Sequence, residues 1–290
     1  MKLLLKFNLV FLLIFGLGLA ATGYVSWKLL ERNAREEIAQ NARLLMDTAI
    51  AARGYTSTQV NPLLETQLKY TFLPQSVPAY SATEVFNDLR KTHSAYGYKE
   101  AVLNPTNPRN RAVDWEADLI TRFRNSKDTT ELIGDRDTPN GRSFYIARPL
   151  RVTAQKCLQC HSTVDVAPKT MLERYGPDNG FGWTLNDVVG AQIISVPTEV
   201  PLERAKQAFT VFMGSVSAVF IAIGIVLNTM LWALVIRPIG KLSTFADRVS
   251  LGELEIPEFE RESRDEIGAL SRSIARMRTS MVQAMKMLES

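Results

Sequence analysis

Hydrophobic residues are concentrated in two long runs, and the chain between and after them mixes polar and apolar positions. The first run, Phe7 to Trp27, holds 21 residues without a charge, and a helix of that length crosses a hydrocarbon layer roughly 30 Å thick. The second run, Ala208 to Ile236, holds 29 uncharged residues, too many for the core helix of a soluble protein. Both runs are predicted to be transmembrane helices. A cleaved signal peptide, with Lys2 and Lys6 in its n-region, is the alternative for the first.

The segment between the two runs has the periodicities of both helix and strand. Apolar residues from Ile38 to Ala52 recur at steps of three and four, which predicts a long helix that leaves the first run and stops at Asn61-Pro62. Further elements are predicted as a helix after Ser81, a helix over 114–123, and two strands ended by prolines over 143–149 and 190–197. The segment is therefore predicted to be an α+β domain with long leading helices.

Composition and charge exclude several classes of protein. With 46% hydrophobic and 22% charged residues, the chain has enough apolar material for a packed core, which excludes wholesale disorder. The net charge is +4, and Lys2, Lys6 and Lys28 account for most of that excess. No domain therefore has the basic surface that a nucleic-acid-binding protein needs. Two cysteines are too few for a disulfide-stapled scaffold, and we find no paired acid and base that would indicate an enzyme.

Both cysteines and one of the two histidines lie within five residues, in the sequence Cys157-Leu158-Gln159-Cys160-His161. C-x-x-C-H is the attachment motif of c-type haem. The thiols form thioethers with the porphyrin vinyl groups, and the histidine binds the iron. A zinc site would need a second pair of ligands, and a thioredoxin-type redox pair leaves the histidine unexplained. We therefore predict one covalent haem c per chain, attached to Cys157 and Cys160, with His161 as the proximal iron ligand.

The sixth iron ligand is left open by the motif. Met46, His93 and Met171 are candidates, beside water or an open position. Met46 lies on the long leading helix, and Arg53 follows seven residues later on the same face. This spacing predicts that Met46 supplies a thioether to the iron while Arg53 contacts a haem propionate. An ordinary core position is the alternative for Met46.

The haem motif also predicts the topology, because such haem is attached outside the cytoplasmic membrane. Lys6 before the first run and Arg237 and Lys241 after the second agree with the positive-inside rule. Lys28 and Arg32 on the far side of the first run oppose it, and the haem motif overrules them. The predicted segments are a cytoplasmic tail (1–6), a first span (7–27), an extracytoplasmic sensor domain (28–207), a second span (208–236) and a cytoplasmic C-terminal domain (237–290). This layout is that of a two-pass protein of a bacterial inner membrane.

Two amphipathic stripes follow the second run. Apolar residues recur at steps of three and four from Ile239 to Val249 and from Ile267 to Leu288, with Gly252 and Pro257 in the break between them. Each stripe is a narrow seam that must pack against other helices. A parallel dimeric four-helix bundle is predicted, with a dimerising coiled-coil tail as the alternative.

Two segments of the chain resemble known families. Pro238, the two stripes and Asp265-Glu266-Ile267-Gly268 make the C-terminal segment similar to a HAMP signal-relay domain. The outer segment, over about residues 35–200, resembles the periplasmic c-haem-binding, PAS-like sensor family. The matching stretches are Arg53-Gly-Tyr-Thr with Val60-Asn-Pro, Leu103-Asn-Pro-Thr-Asn-Pro, Asp114-Trp-Glu, Cys157-Leu-Gln-Cys-His-Ser, and Gly180-Phe-Gly-Trp through Val196-Pro.

The second resemblance implies a PAS-like sheet, a haem held against the leading helices, and His161 as proximal ligand. Sulfur, water and other distal ligands occur in such sensors. This chain has no cysteine beyond the motif, so a thiolate is excluded and Met46 or an open position is left.

Together these features predict a membrane-anchored haem sensor that works as a homodimer through its HAMP domain. A change of iron redox state, or binding of a small gas such as NO, CO or O2, would shift the leading helix and act on an output protein in trans. One alternative is a membrane-anchored c-type cytochrome that exchanges electrons with a redox partner. Another is a receptor for a small organic ligand in which the haem is structural.

Overall fold

The computed structural model describes residues 3–126, 128–139, 141–254, 256–257 and 263–288. The predicted tail thus begins outside the described residues, with Met1 and Lys2, and the break between the C-terminal stripes includes residues 255 and 258–262, which also lie outside them. The chain divides into two compact units. We call Lys28–Ala208 the sheet unit, and Met1–Trp27 together with Phe209–Ser290 the helical unit.

The α-helices are α1 (Leu3–Tyr55), α2 (Asn61–Leu68), α3 (Pro78–Thr92), α4 (Asp114–Asn125), α5 (Gln155–His161), α6 (Lys169–Tyr175), α7 (Glu199–Leu231), α8 (Arg237–Ser250) and α9 (Glu266–Leu288). The strands are β1 (Gly97–Val102), β2 (Leu132–Thr138), β3 (Gly141–Arg151) and β4 (Val188–Pro197). Short 3-10 turns cover Pro74–Ser76 and Pro108–Asn110, and π-helical turns cover Thr56–Val60 and Trp232–Ile236.

An antiparallel sheet with the strand order β1-β4-β3-β2 forms the centre of the sheet unit. Successive side chains of a strand point to opposite faces. Ile194 of β4 accordingly packs with α1 and α3 on one face, and its neighbour Ile193 packs with α4 on the other. The predicted α+β class with long leading helices is confirmed.

The leading helix continues beyond its predicted end. A π-helical turn over Thr56–Val60 joins α1 directly to α2. Within it the backbone N–H of Asn61 donates to the carbonyl oxygen of Thr56, five residues earlier. The hydrogen-bond ladder has therefore already shifted at the residue before Pro62, and proline, which has no N–H, occupies the first turn of α2. The prediction that Asn61-Pro62 stops the helix is wrong for this reason.

Two other predicted boundaries move by a few residues. α3 begins at Pro78 rather than after Ser81, because proline is well suited to the first turn of a helix. β3 passes through Pro149 and ends at Arg151. β2 pairs with β3 only as far as Ala147, so among the described residues β3 has no paired strand on that side at Pro149 and the missing N–H is tolerated.

The sequence pattern did not predict β1 and β2. β1 carries Lys99 and Glu100 at its centre, and charged residues are uncommon in a buried strand. In the structure both are paired: Lys99 Nζ lies 2.6 Å from Glu116, and Glu100 forms an ion pair with Arg53. Arg53 lies on α1 and Glu116 on α4, so the sequence around β1 does not indicate either partner.

α1 and α7, with the segments that continue them, are long and apolar enough to cross a membrane. The two apolar segments contact each other. Trp27 packs edge-to-face on Phe209, with ring centroids 5.3 Å apart. Asn228 donates a side-chain hydrogen bond of 2.8 Å to Asn8. A polar pair of this kind has no water to bond with in a hydrocarbon layer, so it favours association of the two segments.

The C-terminal helices form only part of a packed seam. α8 buries Leu242 almost completely, together with Phe245 and Val249. On α9, by contrast, Met277 remains 56% exposed and Met281 42% exposed. Apolar side chains repeated along one helix face are typical of a surface that packs on another helix, so a single chain leaves the seam of α9 open.

Candidate functional site

The cysteine motif forms α5, a short helix that follows β3. Cys157 and Cys160 are three positions apart and therefore share one helix face. Both are free thiols and half-buried. Burial, reinforced by the neighbouring Cys157, raises the pKa of the Cys160 thiol. The two thiols are thus presented side by side, and His161 ends the same helix.

The imidazole of His161 is held on its Nδ1 edge and on one face. Nδ1 lies 2.8 Å from the carbonyl oxygen of Gly180 and 3.5 Å from Oγ1 of Thr106. Trp183 stacks on the ring, with centroids 4.0 Å apart and planes 16° from parallel. A carbonyl oxygen only accepts hydrogen bonds, so Nδ1 carries the proton and Nε2 keeps its lone pair.

Burial also lowers the pKa of His161, although the hydrogen bond to Gly180 partly opposes this. The ring is therefore neutral at neutral pH. A neutral imidazole that donates from one nitrogen to a backbone carbonyl is the form in which histidine binds metals through the other nitrogen.

A loop after α6, Gly180 to Trp183, which we call the glycine loop, supplies the Gly180 and Trp183 contacts to the ring. Its backbone returns to α5: Gly182 N–H donates to the carbonyl oxygen of Ser162 at 2.8 Å, and Trp183 N–H donates to that of His161 at 3.1 Å. Gly180 and Gly182 have φ of +90° and +79°, a region that favours glycine over residues with a Cβ. The loop conformation thus depends on both glycines and determines where the histidine points.

The two glycines offer a matched pair of substitutions. A Cβ at Gly180 would lie 2.9 Å from the backbone nitrogen of Thr106 and still closer to its Oγ1, whereas a Cβ at Gly182 would meet no atom within 4 Å. Each alanine substitution costs about 1–2 kcal/mol through the positive φ. Gly180→Ala should cost about 1–3 kcal/mol more, because Thr106 or the loop must move.

The measurement is urea unfolding of the full chain in detergent micelles, followed by tryptophan fluorescence. We expect Gly180→Ala to lower the free energy of unfolding clearly more than Gly182→Ala does. Equal losses would contradict the close packing of the loop against Thr106.

Met46 lies apart from the cysteine motif. Its side chain is completely buried in the core between α1, α3 and the sheet, together with Phe86, Ile146 and Ile194. No residue of the motif belongs to this cluster. Met46 lies on the long leading helix, α1, and among the described residues the structure brings it together with core side chains rather than with His161.

Arg53 contacts a carboxylate. Its Nη1 bonds to both carboxylate oxygens of Glu100 on β1, whose side chain is only 1% exposed. The hydroxyl of Tyr98 donates to Glu100 at 2.6 Å and accepts from Nε2 of Gln192 at 3.2 Å. Burial and the neighbouring carboxylate raise the pKa of Tyr98, so its hydroxyl keeps the proton that it donates. This network joins α1 to the sheet, and the sequence analysis did not anticipate it.

The two other ligand candidates lie on elements other than the motif helix. His93 follows the last residue of α3 and is exposed, with its ring against Tyr96. Met171 lies on α6 and is 3% exposed. Among the described residues, no group of three or more His, Cys, Asp or Glu side chains is arranged to hold a metal ion.

The cysteine-motif helix α5 and the following helix α6 both contact α2, which continues the leading helix beyond the π-helical turn. Lys156 of α5 donates from Nζ to the side-chain oxygen of Asn61 at 3.0 Å, and Thr170 of α6 donates to the carbonyl oxygen of Leu68 at 3.2 Å. Both acceptors are on α2. The leading helix therefore reaches the cysteine motif through α2, beyond the π-helical turn.

Comparison with known proteins relates both parts of the chain to described families. The Tll0287-like family profile matches residues 31–197, and the HAMP domain profile matches residues 230–283. The layout inferred from the motifs, a sensor segment followed by HAMP, is thus confirmed. A similar solved structure, that of the cyanobacterial heme-protein Tll0287, shares 15% identity, with 56% of this chain and 95% of that chain covered and a TM-score of 0.44. No curated protein matches the chain.

Proposed function

We propose that this chain, which belongs to the Tll0287-like family, is a membrane-bound sensor that binds haem c and signals through its HAMP domain. The protein after which the family is named is described as a heme-protein. In this chain Cys157 and Cys160 would hold the haem by two thioethers, and His161 would be the proximal ligand. When bound, the haem supplies an iron that changes redox state or takes a small gas.

The observation that carries this proposal is the hydrogen bond from Nδ1 of His161 to Gly180. It leaves Nε2 with its lone pair, and the stacked ring of Trp183 restricts rotation of the imidazole. Two half-buried thiols on the same helix complete the donor set that covalent haem requires. The residues of α5 and the glycine loop therefore fit the group.

The proposed layout follows the sequence: 1–6 cytoplasmic, 7–27 and 208–236 as spans, 28–207 extracytoplasmic and 237–290 as the HAMP domain. Support for a relay comes from chain continuity. α1 carries both the first apolar run and the core residue Met46, while α7 begins two residues after β4 and carries the second run. The open seam of α9 supports a homodimer, and we propose that an output protein acts in trans.

The test is the absorption spectrum of the full chain, produced with haem-maturation machinery and purified in detergent. It is recorded oxidised, reduced, and reduced with CO. A c-type spectrum that shifts with CO supports sensing through an exchangeable sixth position. A c-type spectrum indifferent to CO favours redox sensing by a six-coordinate iron. A protein that carries no haem would overturn the proposal.

Met46 remains the proposed sixth ligand, and a volume-conserving substitution tests it. Leucine removes the thioether but usually costs less than about 1.5 kcal/mol in packing. We expect Met46→Leu to lose the six-coordinate spectrum and to bind CO more readily, whereas the buried control Met171→Leu stays like wild type. Identical spectra for Met46→Leu and wild type in both redox states would contradict the assignment and leave the position open.

Arg53 remains the proposed propionate partner. Its guanidinium is already paired with Glu100, so a haem propionate would have to share this guanidinium with Glu100.

The electron-transfer alternative needs only a haem and a membrane anchor. It gives the HAMP domain at residues 230–283 no role, and we therefore favour the sensor.

A further inference from the structure

An open cleft of about 740 Å3 lies behind the glycine loop, and none of the proposed haem ligands lines it. Phe181, Trp183 and Leu185 are among the apolar residues that line the cleft, and Arg124 and Arg151 line it as well. Pockets that bind small molecules have about this volume and combine apolar walls with a few polar groups. Trp183 belongs both to the cleft and to the stack on His161.

Arg124 is positioned to bind an anion. Its Nε–H donates to the carbonyl oxygen of Val188 at 2.8 Å, which holds the plane of the guanidinium at the end of α4. Among the described residues its two terminal nitrogens make no hydrogen bond or ion pair. A guanidinium held in this way presents two parallel donors, the geometry that matches a carboxylate.

The other charged residues that line the cleft indicate which anion it would bind. Arg151 adds a second guanidinium, whereas Asp187 is the single carboxylate in the lining. Asp187 already accepts hydrogen bonds from the backbone N–H of Thr184 at 3.2 Å and from its hydroxyl at 2.5 Å. The cleft thus has an excess of one positive charge next to aromatic surface. That combination suits one carboxylate on an apolar body.

We propose that this cleft binds a carboxylate through Arg124 and Arg151, with the apolar part of its carrier against Phe181 and Trp183. Two carriers have this chemistry. One is a diffusible apolar monocarboxylate, whose binding would act on His161 through Trp183. The other is the propionate side chain of the haem, a form of the proposal that rests on the proposed function.

The test uses the full chain with haem attached, in detergent, and benzoate as the probe, titrated by calorimetry. Benzamide has the same shape without the charge. The variant is Arg124→Gln, and the matched control is Arg122→Gln, which removes an exposed arginine two residues earlier on α4 that does not line the cleft. The reduction potential of the haem is measured for the same proteins.

For a diffusible ligand, we expect benzoate to bind the wild type and Arg122→Gln equally. Arg124→Gln should bind it about tenfold or more weakly, and benzamide should bind the wild type similarly poorly, because a charge-assisted hydrogen bond is lost in each case. If the carboxylate is a haem propionate, it already occupies the cleft of the haem-loaded protein, and we expect benzoate not to bind. Arg124→Gln then lowers the reduction potential, since a cation that favours the reduced, less positive haem is removed, and Arg122→Gln does not.

Either of two results would overturn the proposal: equal benzoate affinity in both variants, or no benzoate binding together with equal potentials. Absence of haem from the wild type would contradict the proposed function only. The benzoate titration of that haem-free protein would still decide between a carboxylate site and none.

Discussion

Replacing Cys157 and Cys160 together by serine is expected to abolish covalent haem attachment. A hydroxyl does not form the thioether, and the two thiols on α5 are the only cysteines of the chain. The measurement is haem staining after denaturing electrophoresis, which retains only covalently bound haem, together with the intact mass. We expect the double variant to lose the signal completely, while Cys157→Ser alone keeps the single thioether to Cys160.

His161→Ala separates attachment from ligation. Both thioethers remain possible in this variant, so the stain should persist, but loss of the proximal ligand should change the absorption spectrum in both redox states. Haem that stays covalently bound in the double serine variant would contradict the role of the motif. A wild-type spectrum for His161→Ala would contradict the role of the histidine.

Glu100→Gln is expected to be among the most destabilising single substitutions in the sheet unit. The amide has nearly the same shape but no charge, so the guanidinium of Arg53, itself only 25% exposed, would be left without its counter-ion. Breaking a buried ion pair by removing one partner costs about 3–5 kcal/mol. The quantity to measure is the free energy of unfolding of the full chain in urea and detergent.

Two controls accompany this measurement. Asp88→Asn breaks the exposed pair with Lys91 and should leave stability unchanged, because exposed ion pairs contribute little. Arg53→Met combined with Glu100→Gln removes both charges and should recover much of the loss. If the double variant is as unstable as Glu100→Gln alone, the cost does not come from an unpaired Arg53.

The arrangement of the proposed haem-binding residues on α5 was predictable because it depends on local order in the chain. The spacing of Cys157, Cys160 and His161 determines that both thiols share a helix face with the histidine directly after them. The uncharged runs that became parts of α1 and α7 are likewise local properties, since a span requires only about twenty consecutive apolar residues. The stripes of α8 and α9 follow from helical periodicity.

The environment of the histidine was not predictable in this way. Its hydrogen-bond acceptor, Gly180, lies 19 residues away in the chain, and Thr106 lies 55 residues away. The sequence analysis singled out Gly180-Phe-Gly-Trp as part of a family resemblance, but which carbonyl faces Nδ1 depends on the positive φ values of the loop and on how it returns to α5. Likewise, the charged centre of β1 is compatible with a buried strand because its partners, Arg53 for Glu100 and Glu116 for Lys99, are distant in sequence but adjacent in space.

By itself, the sequence determined the C-x-x-C-H spacing, the two apolar runs and the order of the Tll0287-like and HAMP segments, because each is set by the spacing of neighbouring residues along one helix or one run. Only the tertiary structure decided the protonated nitrogen of His161, the Arg53–Glu100 pair and the cleft beside Trp183. These arise where segments distant in the chain meet, and burial there forces each polar group to find a partner.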